Sequence, residues 1–444
     1  MLPALLAPLL AAPVLAKVLA TLALILLLNR LVKELLVSVL VGTLLLGLWF
    51  GHGLPAVGGI AWRRFSEPDN LLLVVVLLLV IWLSSLMAEA GVMRDLVEVV
   101  RSRVSRRLAF AALPAVIGFL PMPGGALFSA PMVDSADPQR ALSGLLKTQT
   151  NHWFRHIWEY WWPLYPGVIL ALELTRLEIW QFVLVQLPVT LIAAGSGALL
   201  LLRRIPRSER EGVETSRPAG AATPRAHRSF LSLMAPILVV VVVFALLQVL
   251  FPGLQRVSRY IPMAAGLCLA LAVLQLQRRQ PLSAWLRAVV SWRSLQITLL
   301  VVVVRIYGAV LEAPLPGGIL PVVLLRRELA LLGIPDALLI AFLPFICGFT
   351  MGSTVGLVGA SFPLALSLLG PEPALGRLLA TTVLAYGFGF MGELLSPVHV
   401  CLVVSAEYFR TRLLHGLTSL IPPALLVLAG VTLWQFAIRW LLPG

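Results

Sequence analysis

The chain has 444 residues, of which 59% are hydrophobic and 12% are charged, and its formal net charge is +14. Because soluble domains carry about 25% charged residues, this composition excludes a water-soluble globular protein and indicates one that lies in a membrane. The basic residues lie mostly in short loops between apolar runs, where they set topology, so we expect no nucleic-acid partner. Three cysteines lie in apolar segments without the spacing of a metal site or a disulfide framework.

Apolar runs in the first half of the chain are long enough to cross a hydrocarbon core of about 30 Å. In chain order, the pattern predicts helices near 4–28, 34–50 and 69–91, a basic amphipathic stretch at 92–107, a Gly/Pro-broken segment at 108–136, and helices at 151–173 and 177–202. This half, residues 1–202, ends at a polar stretch that is rich in Pro, Gly and Ala. That stretch, residues 203–228, is predicted to be a linker.

The second half, residues 229–444, has a similar order of elements. The pattern there predicts helices near 229–251, 261–277 and 294–312, an amphipathic stretch at 316–331, a Gly-broken segment at 336–369, and helices at 376–404 and 416–440. The excess of Lys and Arg over one set of loops places the linker in the cytoplasm.

Two motifs occur once in each half. Residues 113–119 read LPAVIGF and residues 343–349 read LPFICGF. Further along, a glutamate stands four residues before a proline, at Glu159 in WEYWWP and at Glu393 in GELLSP. Duplicated halves with Gly/Pro-interrupted segments in corresponding positions are typical of secondary transporters.

The two broken segments are too irregular to be ordinary spans. In the first, the runs 108–120 and 126–133 are each too short to cross the bilayer. Hairpins that enter and leave by one face satisfy their backbone only inside protein or beside a water-filled cavity. Each half then has five spans, and an odd number inverts the second half. The predicted fold is therefore an all-α polytopic membrane protein with two inverted-topology repeats of about five spans, each with a re-entrant hairpin and a broken helix.

Both hairpin tips are candidate ligand sites. Glycines let the backbone approach a ligand, and a helix start presents free N–H groups to an anion. Hydroxyl groups at the second tip are possible donors or ligands. The candidates are Pro123, Gly124, Gly125 and Ser129 in the first tip, and Thr350, Gly352, Ser353 and Thr354 in the second. The alternative is close helix packing through Gly348, Gly352 and Gly356.

The densest polar cluster follows the first hairpin. Asn151, Arg155 and Glu159 are spaced at i, i+4 and i+8 and are expected to share a helical face, with His152 and His156 beside them. An unpaired ionisable group inside a span costs at least about 2.5 kcal/mol, which favours a functional site. The arginine would meet a carboxylate or phosphate, and the glutamate or a histidine would exchange a proton. The alternative is a structural ion pair with interfacial histidines.

In the second half, Glu393, Ser396 and His399 surround Pro397, which must interrupt or kink its helix. Glu393 is the best candidate for a proton site. Arg305 lies in the middle of an apolar helix and needs a partner, which could be the substrate, the glutamate seven residues later or a repeated glutamate.

The aromatic run at 158–165 is expected to form an interfacial belt or to pack. The chain has no HExxH, GxSxG or GKS/T motif and no Cys/His metal spacing, so neither an enzyme nor a metal or cofactor is expected. An intramembrane hydrolase or lipid transferase in the His/Glu cluster remains an alternative. A channel is disfavoured because the hairpins would occlude a continuous pore.

The strings PMPGGALFSAPMVD (121–134) and NHWFRHIWEYWWPLYPG (151–167) resemble a prokaryotic membrane family, number 401 among the domains of unknown function. The resemblance places the chain in the ion-transporter superfamily, with gluconate, citrate and dicarboxylate permeases and arsenite pumps. It implies two inverted repeats, re-entrant hairpins and, by analogy with the dicarboxylate members, a dimeric elevator. Sodium-coupled dicarboxylate members carry Ser-Asn-Thr motifs at both tips. The tips here, PMPGG and GSTVG, lack the asparagine, which favours protons over sodium.

We therefore expect a multi-pass protein of the prokaryotic inner membrane, surrounded by lipids, that moves a small organic anion in exchange for or together with protons. A homodimer is expected. The alternatives are a flippase for a lipid-linked anion such as a polyprenyl phosphate and an exporter of a toxic oxyanion. Arg155 and the hairpin tips would bind the anion, and Glu159, Glu393, His156 and His399 would carry the coupling proton.

Overall fold

The protein's structure is a computed structural model that describes residues 12–101, 103–119, 121, 125–206, 229–251, 253–289, 292–370 and 372–443. Within these ranges the chain forms helices and turns, with a short 3₁₀ turn at Leu202–Arg204 and no β-strand. The prediction of an all-α polytopic membrane protein is confirmed.

The described residues up to 206 form ten α-helices. They are α1 Val14–Val32, α2 Leu35–Trp49, α3 Leu54–Phe65, α4 Pro68–Glu89, α5 Val92–Arg101, α6 Arg106–Gly118, α7 Ala126–Ser135, α8 Gly144–Arg155, α9 Pro166–Thr175 and α10 Ile179–Leu200.

Residues 229–443 form twelve more helices over their described ranges. They are α11 Phe230–Leu250, α12 Leu254–Val257, α13 Ile261–Gln277, α14 Leu282–Val289, α15 Trp292–Glu312, α16 Pro321–Leu332, α17 Asp336–Met351, α18 Thr354–Ser367, α19 Leu375–Leu394, α20 Val400–Tyr408, α21 Leu413–Thr418 and α22 Ile421–Leu441. The short helices α3 and α14 were not predicted. Most of the predicted linker, residues 207–228, lies outside the described residues.

The described helices include seven that are long and apolar enough to cross a membrane. Helices α16 and α17 pass the same test together, but their axes are bent by 107° at the break between them. A bend of this size means that α16 and α17 do not form one straight span, and α17 packs against α18 as the two arms of a helical hairpin. The chain is therefore a multi-pass membrane protein whose hairpins lie among its spans.

Two long helices expected from the sequence are each broken into two. The helix predicted at 151–173 ends at Arg155, and α9 begins only at Pro166. The helix predicted at 376–404 ends at Leu394, and α20 begins at Val400. Pro397 explains the second break, because a proline removes a helical hydrogen bond and its ring clashes with the preceding turn, whereas the first break begins well before its first proline, Pro163. We call residues 156–165 the first break and residues 395–399 the second break.

Each hairpin packs against the helix that precedes a break. Helix α6 contacts α8, and α17 contacts α19. The second contact is very close, because a Cβ added to Gly348 would lie 2.8 Å from the backbone nitrogen of Glu393. At this position the small-residue packing proposed as the alternative for the second tip is the observed role. The hairpins thereby hold both breaks in fixed places.

Candidate functional site

Two buried glutamates meet at the tip of the second hairpin. Glu159 lies in the first break, Glu393 in the last turn of α19, and Thr354 is the first residue of α18. The Thr354 hydroxyl oxygen lies 2.9 Å from Glu393 Oε2 and 3.3 Å from Glu159 Oε2. A hydroxyl has one proton and two lone pairs. It donates to one carboxylate and can accept from the other carboxyl group only if that group is protonated.

The shared helical face predicted for Asn151, Arg155 and Glu159 is wrong. Helix α8 ends at Arg155, and Glu159 lies in the turn that follows. The prediction extended the helical period past the end of α8. Glu159 consequently turns towards α18 and α19 instead of lying one turn beyond Arg155.

Two histidines connect the glutamates by a second route. His156 Nε2 lies 3.8 Å from Glu159 Oε1, and His399 Nδ1 lies 3.6 Å from Glu393 Oε1. The Nε2 atoms of the two histidines are 3.1 Å apart. His152 stacks edge-on against both rings. The four ionisable groups therefore lie close together between the two breaks, with the histidine–glutamate distances longer than a hydrogen bond.

Arg155 lies between the histidines and the first hairpin, and it is 2% exposed. Its Nη1 atom lies 3.1 Å from His156 Nε2 and 3.1 Å from the sulfur of Cys401. A Cβ added to Gly125 would lie 2.8 Å from Arg155 Nε and 2.9 Å from Cζ. The backbone at the first tip thus directly adjoins the guanidinium, as the sequence predicts. Pro123 and Gly124, also predicted at this tip, lie outside the described residues.

Other residues that the sequence predicts for the site lie in or beside the helices around the cluster. The Asn151 amide donates to Ser405 Oγ at 2.8 Å, and Ser129 is fully buried in α7. The Ser396 hydroxyl donates to the carbonyl of Phe349 at 2.6 Å and so ties the second break to α17. These contacts fix the position of the breaks.

The residues predicted at the second tip have different roles. Ser353 caps α18, with its Oγ accepting from Gly356 N at 3.5 Å. Gly352 ends α17 with φ +59°, and only glycine adopts this conformation freely. Thr350 is partly exposed and donates to Ile346 O at 2.7 Å within its own helix, so it does not join the cluster. Thr354 is the tip residue that reaches the glutamates.

Arg305 has partners that the sequence did not indicate. Its Nη2 atom lies 2.7 Å from Glu173 Oε1 in α9, and Nη1 donates to Asn70 Oδ1 at 2.9 Å. Glu312, a suggested partner, instead pairs with Arg64 at 3.2 Å. Arg305 of α15 thus forms an ion pair with α9 and a hydrogen bond with α4.

The aromatic run of the first break packs against the first hairpin. The Trp158 indole donates to Ala115 O at 2.8 Å, the Trp162 indole donates to Phe119 O at 3.1 Å, and the Tyr165 hydroxyl donates to Gly118 O. The last carbonyls of a helix lack intrahelical partners. These three side chains satisfy them, so the run is packing rather than an interfacial belt.

Sequence reasoning missed two contacts of the cluster. The Tyr386 hydroxyl donates to the backbone carbonyl of Glu159 at 2.7 Å, and Cys401 contacts Arg155. Tyr386 lies seven residues before Glu393, a spacing that puts both on one face of α19 and could have been noticed. No local pattern points to Cys401, because it reaches the arginine from another helix.

Comparison with known proteins agrees with this architecture. The fold is similar to a solved structure described as "Crystal structure of the Alcanivorax borkumensis YdaH transporter reveals an unusual topology". The TM-score is 0.54 at 14% sequence identity, and the similarity covers 86% of this chain and 88% of that chain. No curated protein matches the sequence. At this identity the likeness concerns the fold alone.

The family follows from the sequence match. The family described as "Protein of unknown function (DUF401)" matches residues 15–438, which is nearly the whole chain, and the protein belongs to this family. The family resemblance noted from the two sequence strings is thereby confirmed.

Proposed function

We propose that the protein is a secondary active transporter of a small organic anion, carboxylate-like in chemistry, across the cytoplasmic membrane and coupled to protons. The observation that carries this proposal is the shared contact of Glu159 and Glu393 with Thr354, next to the buried Arg155. A membrane-embedded cluster of charged groups marks a substrate or ion pathway more often than a structural device. The transporter fold supports the same reading.

Proton coupling follows from the proximity of two carboxyl groups. Carboxylates that share a buried site repel each other, so both do not remain ionised without a cation between them. A proton held by Glu159 and Glu393 removes this repulsion, and its loss on one side of the membrane restores it. The histidine path between the breaks gives the proton a route. The pair titrates as a unit, so the coupling proton belongs to both residues.

The anion would bind at the first tip. A guanidinium presents a planar fork of donors that matches carboxylate or phosphate geometry. Arg155 lies against Gly125, and α7 begins at the next residue. The free N–H groups of that helix start would add to the positive field. The anion would then replace His156 and Cys401 as the partner of Arg155 Nη1.

Transport would use inverted repeats. We propose that residues 1–202 and 229–444 are the two repeats, that 203–228 is a cytoplasmic linker, and that the protein is a homodimeric elevator. Each hairpin packs on the helix before its break, and the cluster joins the two breaks through Thr354. Such a unit can move as one body and expose the same site to either side.

The burial of the cluster favours a soluble anion over a lipid-linked one. Arg155, Glu159 and Glu393 are each at most 6% exposed, so protein encloses the charged groups. A polyprenyl phosphate flippase would need a side opening to lipid at this point. An exported oxyanion would use the same arginine, and only a substrate screen separates it from a carboxylate.

The test is a flux measurement in proteoliposomes. Mono-, di- and tricarboxylates, arsenite and a short-chain polyprenyl phosphate would each be offered with an inward proton gradient and then with a sodium gradient. The proposal expects that one soluble carboxylate is accumulated and that accumulation requires the proton gradient. Movement of the lipid phosphate alone, or accumulation that follows only sodium, would contradict it.

A further inference from the structure

Three buried histidines from distant parts of the chain converge beside the glutamates. His152 and His156 lie four residues apart at the end of α8, and His399 immediately precedes α20. One ring nitrogen from each lies within 4.8 Å of the others. This arrangement uses two ligands on one helical face, the spacing found on metal-binding helices, and a third from the opposite break.

The hydrogen bonds of the rings determine which nitrogens are free to bind a ligand. His156 Nδ1 lies 2.6 Å from the carbonyl of His152, and His399 Nδ1 lies 3.2 Å from that of Gly352. His152 Nε2 lies 2.9 Å from the carbonyl of Leu394. A carbonyl only accepts, so each of these nitrogens carries the hydrogen. In the neutral rings, His152 Nδ1, His156 Nε2 and His399 Nε2 then present lone pairs.

Two of these three nitrogens lie close together. His156 Nε2 and His399 Nε2 are 3.1 Å apart, and neither carries the hydrogen in the assigned tautomers. Two lone pairs at this distance repel unless a cation lies beside both. Zinc–nitrogen bonds of about 2.0–2.1 Å in a tetrahedral site place ligand nitrogens about 3.4 Å apart. The observed distance is close to that value. Backbone carbonyls also hold the remote nitrogens, as in metal-bound imidazoles.

The surrounding charges suit a divalent cation. Glu159 and Glu393 place carboxylate oxygens 3.8 Å and 3.6 Å from His156 and His399. Arg155 is the one opposing charge, since its Nη1 atom lies 3.1 Å from His156 Nε2 and competes for that lone pair. When both carboxyl groups are ionised, as a bound cation would allow, two negative charges against the positive charge of Arg155 leave a net attraction for a metal ion. Its binding would require a small withdrawal of the guanidinium.

We propose that His152 Nδ1, His156 Nε2 and His399 Nε2 form a binding site for a divalent transition-metal ion of the Zn²⁺ class. Three imidazole ligands leave the fourth tetrahedral position for water or an anion, as in other three-histidine zinc sites. The ion would join the first break to the second. This inference does not rest on the proposed transport function, because metal binding is measured without any flux.

The experiment titrates Co²⁺ and Zn²⁺ into purified full-length protein in detergent, with an affinity tag that contains no histidine. Tetrahedral Co²⁺ reports its geometry by visible absorption, and calorimetry gives the Zn²⁺ stoichiometry. We expect one ion per protomer and a loss of affinity of more than about 10-fold in His399→Ala and in His152→Ala. His415→Ala removes an exposed histidine and is the matched control.

A second variant keeps the test decisive if the alanine variants fold poorly. His399→Cys replaces one ligand by another, so it should retain Co²⁺ and add a thiolate-to-cobalt absorption band. No binding by the wild type, or equal binding by the wild type, His399→Ala and His152→Ala, would overturn the proposal and leave a proton as the occupant of the cluster. Neither outcome alters the flux test of the transport proposal.

Discussion

At the scale of single residues, Thr354 connects the two repeated glutamates. Its hydroxyl reaches Glu159 and Glu393, one from each half of the chain, and no other described side chain hydrogen-bonds to both carboxyl groups. Gly167 of α9 lies close behind it, since a Cβ there would be 2.6 Å from the Thr354 Cβ. The hydroxyl has a single proton, so it donates to only one of the two carboxyl groups at a time.

Replacing Thr354 by valine keeps the shape and removes the hydroxyl. The buried carboxyl groups then lose a partner, which typically costs about 1–3 kcal/mol of stability, and proton-driven uptake should fall by about 10-fold or more. Thr350→Val is the control, since Thr350 has the same chemistry on the same hairpin but is partly exposed and bonds only within its own helix. Thermal unfolding in detergent and proteoliposome uptake check the prediction. Equal effects of the two substitutions would show that the shared hydroxyl has no special role.

Arg155→Lys tests the anion contact. Lysine keeps the charge but loses the planar fork, so an anion held by two parallel hydrogen bonds loses one of them. We expect the KM for the transported anion to rise by about 10-fold, with a smaller change in maximal rate, because a hydrogen bond to a charged group contributes about 1.5–3 kcal/mol. An unchanged KM would place the anion elsewhere. Arg377→Lys is the control, in a partly exposed pair with Asp336.

At the scale of elements, two glycines end neighbouring helices in the same backbone conformation. Gly333 ends α16 with φ +63°, and Gly352 ends α17 with φ +59°. Their surroundings differ. A Cβ on Gly352 would lie 3.0 Å from the backbone nitrogen of His399 and 3.1 Å from Ser396 Oγ, whereas a Cβ on Gly333 would meet nothing within 4 Å. Of these two glycines, only Gly352 brings a hairpin into close contact with a break.

Alanine at the two positions separates backbone strain from this contact. Both substitutions place an L-residue in the left-handed region, which costs about 1–2 kcal/mol. Gly352→Ala should cost more than Gly333→Ala, because it must also push the second break away from α17, and only it should reduce uptake. Thermal unfolding and uptake of both variants give the comparison. Equal losses in both assays would contradict the close approach.

The ion pair of Arg305 and Glu173 joins α15 to α9 inside the protein. Arg305→Met leaves the glutamate without its partner, and breaking a buried pair in this way costs about 3–5 kcal/mol. The double variant Arg305→Met with Glu173→Gln should recover much of that stability. Chemical or thermal unfolding of the single and double variants measures the recovery. If the double variant is no more stable than Arg305→Met, loss of the ion pair is not the cause of the destabilisation.

The sequence predicted the limits of the two hairpins closely, because residues within each segment determine them. The predicted segments 108–136 and 336–369 coincide with α6–α7 and α17–α18, since glycine, proline and short apolar runs act within a few residues. The limits of the broken helices were less accurate. Periodicity was continued through a proline-containing segment, and Glu159 was therefore assigned to the wrong face.

Partners from distant segments could not be predicted. Cys401 reaches Arg155 and Glu173 reaches Arg305 across separate helices, and neither position has a local pattern. The three-histidine cluster is an intermediate case. The four-residue spacing of His152 and His156 was a usable signal, but the third histidine lies 243 positions from His156 and only the folded chain brings it there.

At the scale of the whole molecule, we propose that a buried pair of carboxyl groups couples anion movement to protons. The two glutamates occupy the repeated motif and share one hydroxyl at the second hairpin, with Glu159 in the first break and Glu393 in the turn of α19 that precedes the second break. Moving the pair with both hairpins would carry its charge state from one side of the membrane to the other. A transporter that has lost the titrating group should still move substrate but no longer accumulate it.

The most direct measurement compares gradient-driven uptake with anion exchange in proteoliposomes of the wild type, Glu393→Gln and Glu312→Gln. Glu312 pairs with Arg64 and its side chain is 69% exposed, so it is the control for loss of a carboxylate. We expect that Glu393→Gln loses proton-driven accumulation but keeps anion exchange, while Glu312→Gln keeps both. Accumulation by Glu393→Gln at the wild-type rate would contradict it.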